Sequence, residues 1–255
     1  MDKYFENKVA LITGAGSGIG CETAKILAKN KCKLILVSKS NSSILLSKKL
    51  KKKFPKNQFF AFSADFTKEK EVEEVVNLSI LKFKKIDFLI NSAGKTSFGT
   101  LESTSLDDWN DIHNNNGTLT FLACKHIIPY MKKNKFGKIV NISSIAGRFR
   151  GITSGLSYAY TKSGLLAFTK QLAFQVAPFN INVNAFCPSQ TLTPMLKDLI
   201  NNTKSPKETK KMIISKIPLG RIASSKEQAN VIVYLVSDKS TYITGSFIDS
   251  NGGLY

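Results

Sequence analysis

The chain has 255 residues, 42% hydrophobic and 22% charged, the proportions of an ordinary globular protein, so a disordered chain is excluded. A chain of this length fits one large domain and buries enough apolar surface to need neither a disulfide nor a metal staple. The formal charge of +19, from 37 Lys and Arg against 18 Asp and Glu, would suit a nucleic acid, a membrane surface or an acidic partner. Of the 37 basic residues, however, 34 are Lys, and Lys, Asn (19) and Phe (17) share A/T-rich codons. Genome composition accounts for the charge without a binding role. A nucleic-acid footprint would cluster and would use Arg for bidentate contacts, so no nucleic-acid partner is expected.

The first apolar run is Val9–Ile12, too short for the core of a signal peptide. No stretch approaches the roughly 18 apolar residues of a membrane helix. Cys21, Cys32, Cys124 and Cys187 form no CxxC pair, and His113 and His126 stand at no metal-ligand spacing. No metal site, no membrane contact and a reducing, cytoplasmic setting are therefore expected. Further apolar runs follow at Leu34–Val37, Phe59–Phe62, Phe88–Ile90, Ile139–Ile142, Ile181–Ala185 and Phe247–Ile248. Longer stretches of helical periodicity separate most of them: Ile26, Leu27 and Ala28 follow the first, Val72, Val75 and Val76 follow the third, and Leu165, Leu166 and Leu172 precede the sixth. This alternation predicts an α/β fold, a Rossmann-type doubly wound parallel sheet of about seven strands with helices on both faces. Neither linker nor repeat divides the chain, so residues 1–255 read as a single domain.

Between the first run and a helix predicted over Glu22–Lys29 lies Thr13-Gly-Ala-Gly-Ser-Gly-Ile-Gly20. Glycines at such a turn let backbone N–H groups approach a pyrophosphate at a helix N-terminus. Ile19 stands where the third glycine of GxGxxG would fall, so the spacing is TGxxxGxG, with Gly14, Gly18 and Gly20. A tight strand–helix turn would use the same glycines; the context is the one a dinucleotide requires. The second strand ends in Val37-Ser38-Lys39-Ser40, with no carboxylate for a ribose 2′-hydroxyl. A lysine between two serines attracts a 2′-phosphate that a carboxylate would repel, so NADP(H) is favoured over NAD(H). The lysines of 47–53 read as a solvated helix end.

Tyr158-Ala-Tyr-Thr-Lys162 puts a phenol and an ammonium one helical turn apart on one face. A free tyrosine titrates near 10, and a neighbouring cation is expected to lower that value, making Tyr158 an acid or base for a carbonyl oxygen. Ser144 ends the fifth strand and Asn91-Ser-Ala-Gly94 the fourth, at the strand ends where open α/β sheets bind ligands.

In these motifs, with Asp65, Asn184-Ala-Phe-Cys-Pro188 and the terminal Ile243-Thr-Gly and Asn251-Gly-Gly253, the chain resembles the short-chain dehydrogenase/reductase family, in its compact branch. The resemblance implies an NADP(H)-dependent oxidoreductase that interconverts a carbonyl and a secondary alcohol by hydride transfer. It implies Tyr158 as acid/base, Lys162 as its tuner and a ribose ligand, Ser144 as holder of the substrate oxygen, and Asn116, seven residues past Trp109, as the fourth member. Asn114 and Asn115 replace Asn116 if the register slips. The implied cofactor contacts are Gly14, Ser17, Gly18, Ile19, Gly20, Ser38, Lys39, Asp65 with Phe66, Asn91, Ala93, Gly94, Tyr158, Lys162, Pro188, Thr191 and Thr193. Asp65 would lie beside the adenine; equally, it would cap the helix starting near Lys68. Two departures stand out, Ser92 for the family's second Asn and Ser189 for its Gly after proline. The latter strains the chain if that backbone needs a positive φ.

Residues 189–211 correspond to the family's substrate loop, and Met195, Leu196, Leu199 and Ile200 make it either an apolar lid or a surface helix pair. Arg148 and Arg150, two of only three arginines, either grip a substrate carboxylate or phosphate or make a loop or subunit contact. Across its length, including Ile217-Pro-Leu-Gly-Arg221, the chain is most similar to 3-oxoacyl-carrier-protein reductases, whose acidic carrier a positive surface would steer. Lys132, Lys133 and Lys135 fit one of the family's two carrier-docking places, while Phe174 occupies the other. Sugar, polyol and other small carbonyl substrates stay open. A non-catalytic dinucleotide-binding scaffold would typically lack the Tyr or the Lys, and both are here. A homo-oligomer, tetramer or else dimer, is expected from the family.

Overall fold

A computed structural model describes residues 2–255. The strands are β1 (Val9–Thr13), β2 (Lys33–Ser38), β3 (Phe59–Ser63), β4 (Phe88–Asn91), β5 (Gly137–Ile142), β6 (Ile181–Pro188), β7 (Thr191–Leu192), β8 (Ala223–Ser224) and β9 (Phe247–Ser250). The helices are α1 (Gly18–Lys29), α2 (Ser42–Lys53), α3 (Glu69–Phe83), α4 (Leu106–His113), α5 (Leu119–Lys133), α6 (Leu156–Val176), α7 (Pro194–Asn201), α8 (Pro206–Ser215) and α9 (Ser225–Leu235). Seven strands pair in parallel in the order β3-β2-β1-β4-β5-β6-β9. All seven predicted runs lie in this sheet, and the order reverses between β1 and β4, the point where such sheets open a crevice at their carboxyl ends.

The strand residues alternate between two cores. Val9, Leu11, Ile35, Leu89, Ile139 and Val183 pack under α3, α5 and α6. Ala10, Ile12, Leu34, Ile90, Val140 and Phe186 pack under α1, α2 and α9. With both faces covered, successive strand positions are buried, which is why runs such as Val9–Ile12 and Leu34–Val37 are continuously apolar.

Helix α1 begins at Gly18, four residues before its predicted start, because the poor helix formers Gly18 and Gly20 are already helical. Helix α4 runs into α5 through a π-helical turn at Asn114–Thr118, and Trp109 of α4 lies on Tyr160 of α6, with ring centroids 4.8 Å apart. Helices α7 and α8 leave the sheet as an excursion closed at its base by the short β7–β8 ladder. They share a small core of Leu196, Ile200, Ile213 and Ile217.

One buried charge belongs to the fold. Lys138 of β5 is 1% exposed, and its Nζ donates to Ser237 O (2.6 Å) and Ser240 Oγ (3.2 Å), just past the end of α9. Burial pulls its pKa down. Lys138→Ala opens a cavity and removes both of these bonds, and is expected to cost about 2–4 kcal/mol in urea unfolding. A variant as stable as the parent would contradict that.

Candidate active site

A cleft of about 780 Å³ opens at the carboxyl ends of β1, β2, β4, β5 and β6. Gly14 takes φ +63°, and a Cβ there would lie 2.7 Å from Ala93 N, so only glycine lets the first turn touch the β4 loop. Gly18 also has a positive φ, +54°. Ser17 is the N-cap of α1, yet its side chain bonds none of the first-turn N–H groups. Those N–H groups and the helix dipole therefore suit an anion such as a pyrophosphate. Gly14, Ser17, Gly18 and Ile19 line the cleft. Gly20 does not: it lies beneath, where a Cβ would come 2.6 Å from Gly14 O and 2.9 Å from Ser92 Oγ. Close packing, and no ligand contact, is what requires glycine there.

Where β2 ends, Ser38 Oγ donates to Ser40 O (2.7 Å) and accepts from Ser42 Oγ (3.1 Å) and Ser43 N (3.0 Å). Exposed Lys39 reaches across to Asp65, Nζ to Oδ2 2.8 Å. Burial pushes the Asp65 carboxyl up, but hydrogen bonds from Lys39 and Thr67 outweigh it and hold the group below its ordinary value. Asp65 does not cap α3, whose N-cap is Lys68; it accepts instead from Thr67 N (3.0 Å) and Oγ1 (2.7 Å). Phe66 lies beside it on the cleft wall.

Ser144, Tyr158, Lys162 and Asn116 all line the same cleft. Lys162 is 5% exposed; its Nζ donates to Ile142 O at 2.8 Å and lies 5.6 Å from the Tyr158 ring centroid. Burial holds its pKa down to about 8. Gly147 lets the loop after β5 close on α6, since a Cβ there would lie 2.5 Å from Lys162 C. Ser143 Oγ donates to Lys162 O at 2.7 Å. Asn116 is fully buried in the π turn; Nδ2 donates to Lys95 O (2.9 Å) and Ile112 O (3.1 Å), and Oδ1 accepts from Lys95 N (3.2 Å). π turns recur at functional positions because they redirect one residue out of the helical ladder. A Cβ on Gly94 would lie 2.6 Å from Asn116 Oδ1 and 3.4 Å from Lys162 Nζ, so Gly94 is where these two side chains converge. Asn115 donates to Asp111 instead, and Asn114 accepts from Thr118.

Three expectations change here. The Tyr158 phenol is not lowered by Lys162: burial raises its pKa, and only the Ser144 hydroxyl pulls it down. The lysine ammonium is engaged by the Ile142 carbonyl. Asn91 does not face the cleft; its Nδ2 donates to Asn141 Oδ1 (2.9 Å) and Cys124 Sγ (3.6 Å), while Ser92, Ala93 and Gly94 form the wall. Arg148 pairs with Asp249 at 3.1 Å. Phe149 stacks on Tyr255, whose Oη donates to Arg150 O at 2.6 Å. Neither arginine lines the cleft: the Arg148 side chain makes a loop contact, and Arg150 meets Tyr255 through its backbone carbonyl. Pro188, Thr191 and Thr193 line it, and Thr193 caps α7 by accepting from Leu196 N. Ser189 has no positive φ, so no strain arises, and its N donates to Ser250 O at 3.1 Å. Thr153, Ser154 and Gln190 also line the cleft; no motif in the sequence marks them.

A helix start suited to an anion, at the switch point of a doubly wound sheet and in one cleft with a phenol and a buried ammonium, fits a dinucleotide-dependent oxidoreductase. Residues 14–255 match the family model described as enoyl-(acyl carrier protein) reductase. The chain is 36% identical over 251 residues to a 3-oxoacyl-[acyl-carrier-protein] reductase of Thermotoga maritima, covering 98% of each chain. To the Escherichia coli protein described in the same words it is 32% identical over 252 residues, again 98% of each. Levodione reductase superimposes with a TM-score of 0.93 at 28% identity, covering 98% of each chain. NAD+-bound xylitol dehydrogenase superimposes with a TM-score of 0.92, also at 28% identity, covering 98% of this chain and 100% of the other. The chain belongs to the short-chain dehydrogenase/reductase family. It is an NAD(P)-dependent oxidoreductase acting on CH–OH and carbonyl groups. No helix among the described residues is long and apolar enough to cross a membrane.

Proposed function

We propose that this chain reduces a carbonyl to a secondary alcohol with NADP(H), using Tyr158 as general acid/base. The observation that carries this reading is that Tyr158, Lys162, Ser144 and Asn116 line one cleft. When bound, the dihydronicotinamide supplies the hydride. Tyr158 Oη donates a proton to the carbonyl oxygen, and Ser144 Oγ donates a hydrogen bond to the same oxygen. Burial raises the pKa of the phenol, which keeps on Oη the proton it would donate. Lys162, fixed by its bond to Ile142 O, would bind the nicotinamide ribose beside Tyr158. Asn116 bonds both the N–H and the carbonyl of Lys95 and so fixes the strand-end loop that carries Gly94, where it meets Lys162. The cofactor would rest on Gly14, Ser17, Gly18 and Ile19 at the α1 N-terminus, and on Phe66, Ala93, Gly94, Pro188, Thr191 and Thr193. Residues 189–211, folded as β7, α7 and the start of α8, would close over it. The unit is residues 1–255, a homo-oligomer in the cytoplasm.

The NADP(H) preference rests on Lys39 and the Ser38–Ser40–Ser42 hydroxyl cluster. A 2′-phosphate would draw Lys39 away from Asp65 and accept from the serines. Lys39→Ala is expected to raise KM for NADPH about tenfold and to leave that for NADH little changed. An unaltered NADPH/NADH ratio in initial-rate kinetics would remove the preference.

A narrower reading, a 3-oxoacyl-acyl-carrier-protein reductase, draws on the relatives' names and on Lys132, Lys133 and Lys135 beside the end of α5. Against it, Phe174 stands 81% exposed on α6, where carrier-docking relatives are expected to be basic. Turnover of carrier-linked against free 3-oxoacyl thioesters separates the two.

A further inference from the structure

Besides Ser144 and Tyr158 the cleft is lined by two unlike sets of side chains. Ile152, Met195, Leu196 and Leu199 line it with apolar surface, whereas Thr153, Ser154 and Gln190 line it with hydrogen-bonding groups that the fold leaves almost unused. Gln190 Nε2 stands 3.5 Å from Thr153 Oγ1, at the outer limit of a hydrogen bond, and among the described residues its side-chain carbonyl accepts none. Ser154 Oγ is buried with no partner at all. Its place depends on Gly151, where a Cβ would lie 1.7 Å from that hydroxyl. Polar groups kept unpaired beside a reacting centre select for a ligand that pairs them and against one that cannot.

The charges of the cleft point the same way. Lys39 is held by Asp65, Lys95 by Asp111 and Lys162 by the Ile142 carbonyl. Arg148, the nearest arginine in the chain to Ser144, is held by Asp249 off the cleft wall. Each Lys lining the cleft thus already has a partner, and among the described residues no Arg lines it, so nothing there is set aside for a substrate carboxylate or phosphate.

Building on the carbonyl-reductase reading above, we propose that Thr153, Ser154 and Gln190 form a recognition subsite for a second, uncharged oxygen of the substrate. The substrate class is then a neutral ketone carrying a hydroxyl or a further carbonyl near the reacting group, its apolar remainder lying along Ile152, Leu196 and Leu199. Ser154 and Gln190 determine specificity; Tyr158 remains the proton donor.

The test is a six-carbon series offered to the purified chain with NADPH: 2-hexanone, 3-hydroxy-2-hexanone, 2,3-hexanedione, 2,4-hexanedione and 2-oxohexanoate. At least one neutral oxygenated member is expected to exceed 2-hexanone about tenfold in kcat/KM, and 2-oxohexanoate is expected to fall at or below it. The hydroxy-ketone and dione arms tell a hydroxyl from a carbonyl as the second oxygen. In Ser154→Ala and Gln190→Leu the ratio of oxygenated to plain ketone should fall towards one, chiefly through KM. A purely structural defect would lower every member alike and leave the ratio standing. Turnover that depends on Tyr158 but shows no preference, a preference for the keto acid, or an undiminished ratio in both variants would overturn the subsite alone. Turnover that survives Tyr158→Phe, or none across the series, would overturn the carbonyl-reductase reading and the subsite with it.

Discussion

Tyr158→Phe is expected to lower kcat about 10²–10⁴-fold, the range over which a positioned acid contributes to a proton transfer. The change deletes one oxygen and keeps the ring that lies 5.6 Å from the Lys162 ammonium, so packing on α6 is preserved and cofactor should still bind. The hydroxyl removed is the proposed proton donor, which lines the cleft together with Ser144. Single-turnover reduction measured beside a cofactor titration distinguishes lost chemistry from lost binding. Parental kcat in the variant would show that another group, or water, supplies the proton.

Lys162→Met should abolish turnover and raise stability at the same time. Burial holds the ammonium's pKa down to about 8, from the model-peptide value of 10.5. Below about pH 8 the lysine is charged in both folded and unfolded chains, and the folded state carries the whole desolvation cost. As pH rises from 8 towards 10.5 the folded lysine is neutral and the cost fades. At about 1.4 kcal/mol per unit the cost is about 3 kcal/mol. Removing the bond to Ile142 O returns about 1 kcal/mol of that. Methionine fills similar volume without charge, so a net gain of about 2 kcal/mol, or roughly 5 °C in Tm for a chain this size, is expected at pH 7. The gap should narrow at pH 10. A lower Tm at pH 7, or a gap indifferent to pH, would sink the account. Stability given up at a functional lysine is the pattern expected where activity and folding compete.

The sheet was legible in the sequence because two buried faces make the central strands read as short apolar runs, with Val9–Ile12 and Leu34–Val37 as plain instances. The start of α1 was not, since glycines that serve the turn hide the helix they begin. Nothing in Asn114-Asn-Asn116 announces a π turn, which arises from packing between α4, α5 and α6. At the site, residues joined by a short motif could be read together: Tyr158 with Lys162, or Gly14 with Gly18. Contacts made by register could not. Lys39 meets Asp65 because β2 pairs with β3 at Ser38 and Ser63, and two independently read cofactor residues turn out to neutralise each other. Asn91 faces inward because its strand parity, set three residues earlier, turns its side chain towards α5. The direction of the Tyr158 shift depended on burial, which spacing on a helix does not reveal.

The stack of Trp109 on Tyr160 gives the molecule a built-in optical gauge. Trp109 is the only tryptophan in the chain, so its emission comes from one place. That place bridges the helix leading to Asn116 and the helix carrying Tyr158 and Lys162. Reduced nicotinamide absorbs where indole emits, so quenching of this single fluorophore should follow coenzyme loading without any label. A shift in its band without quenching should follow movement between the two helices.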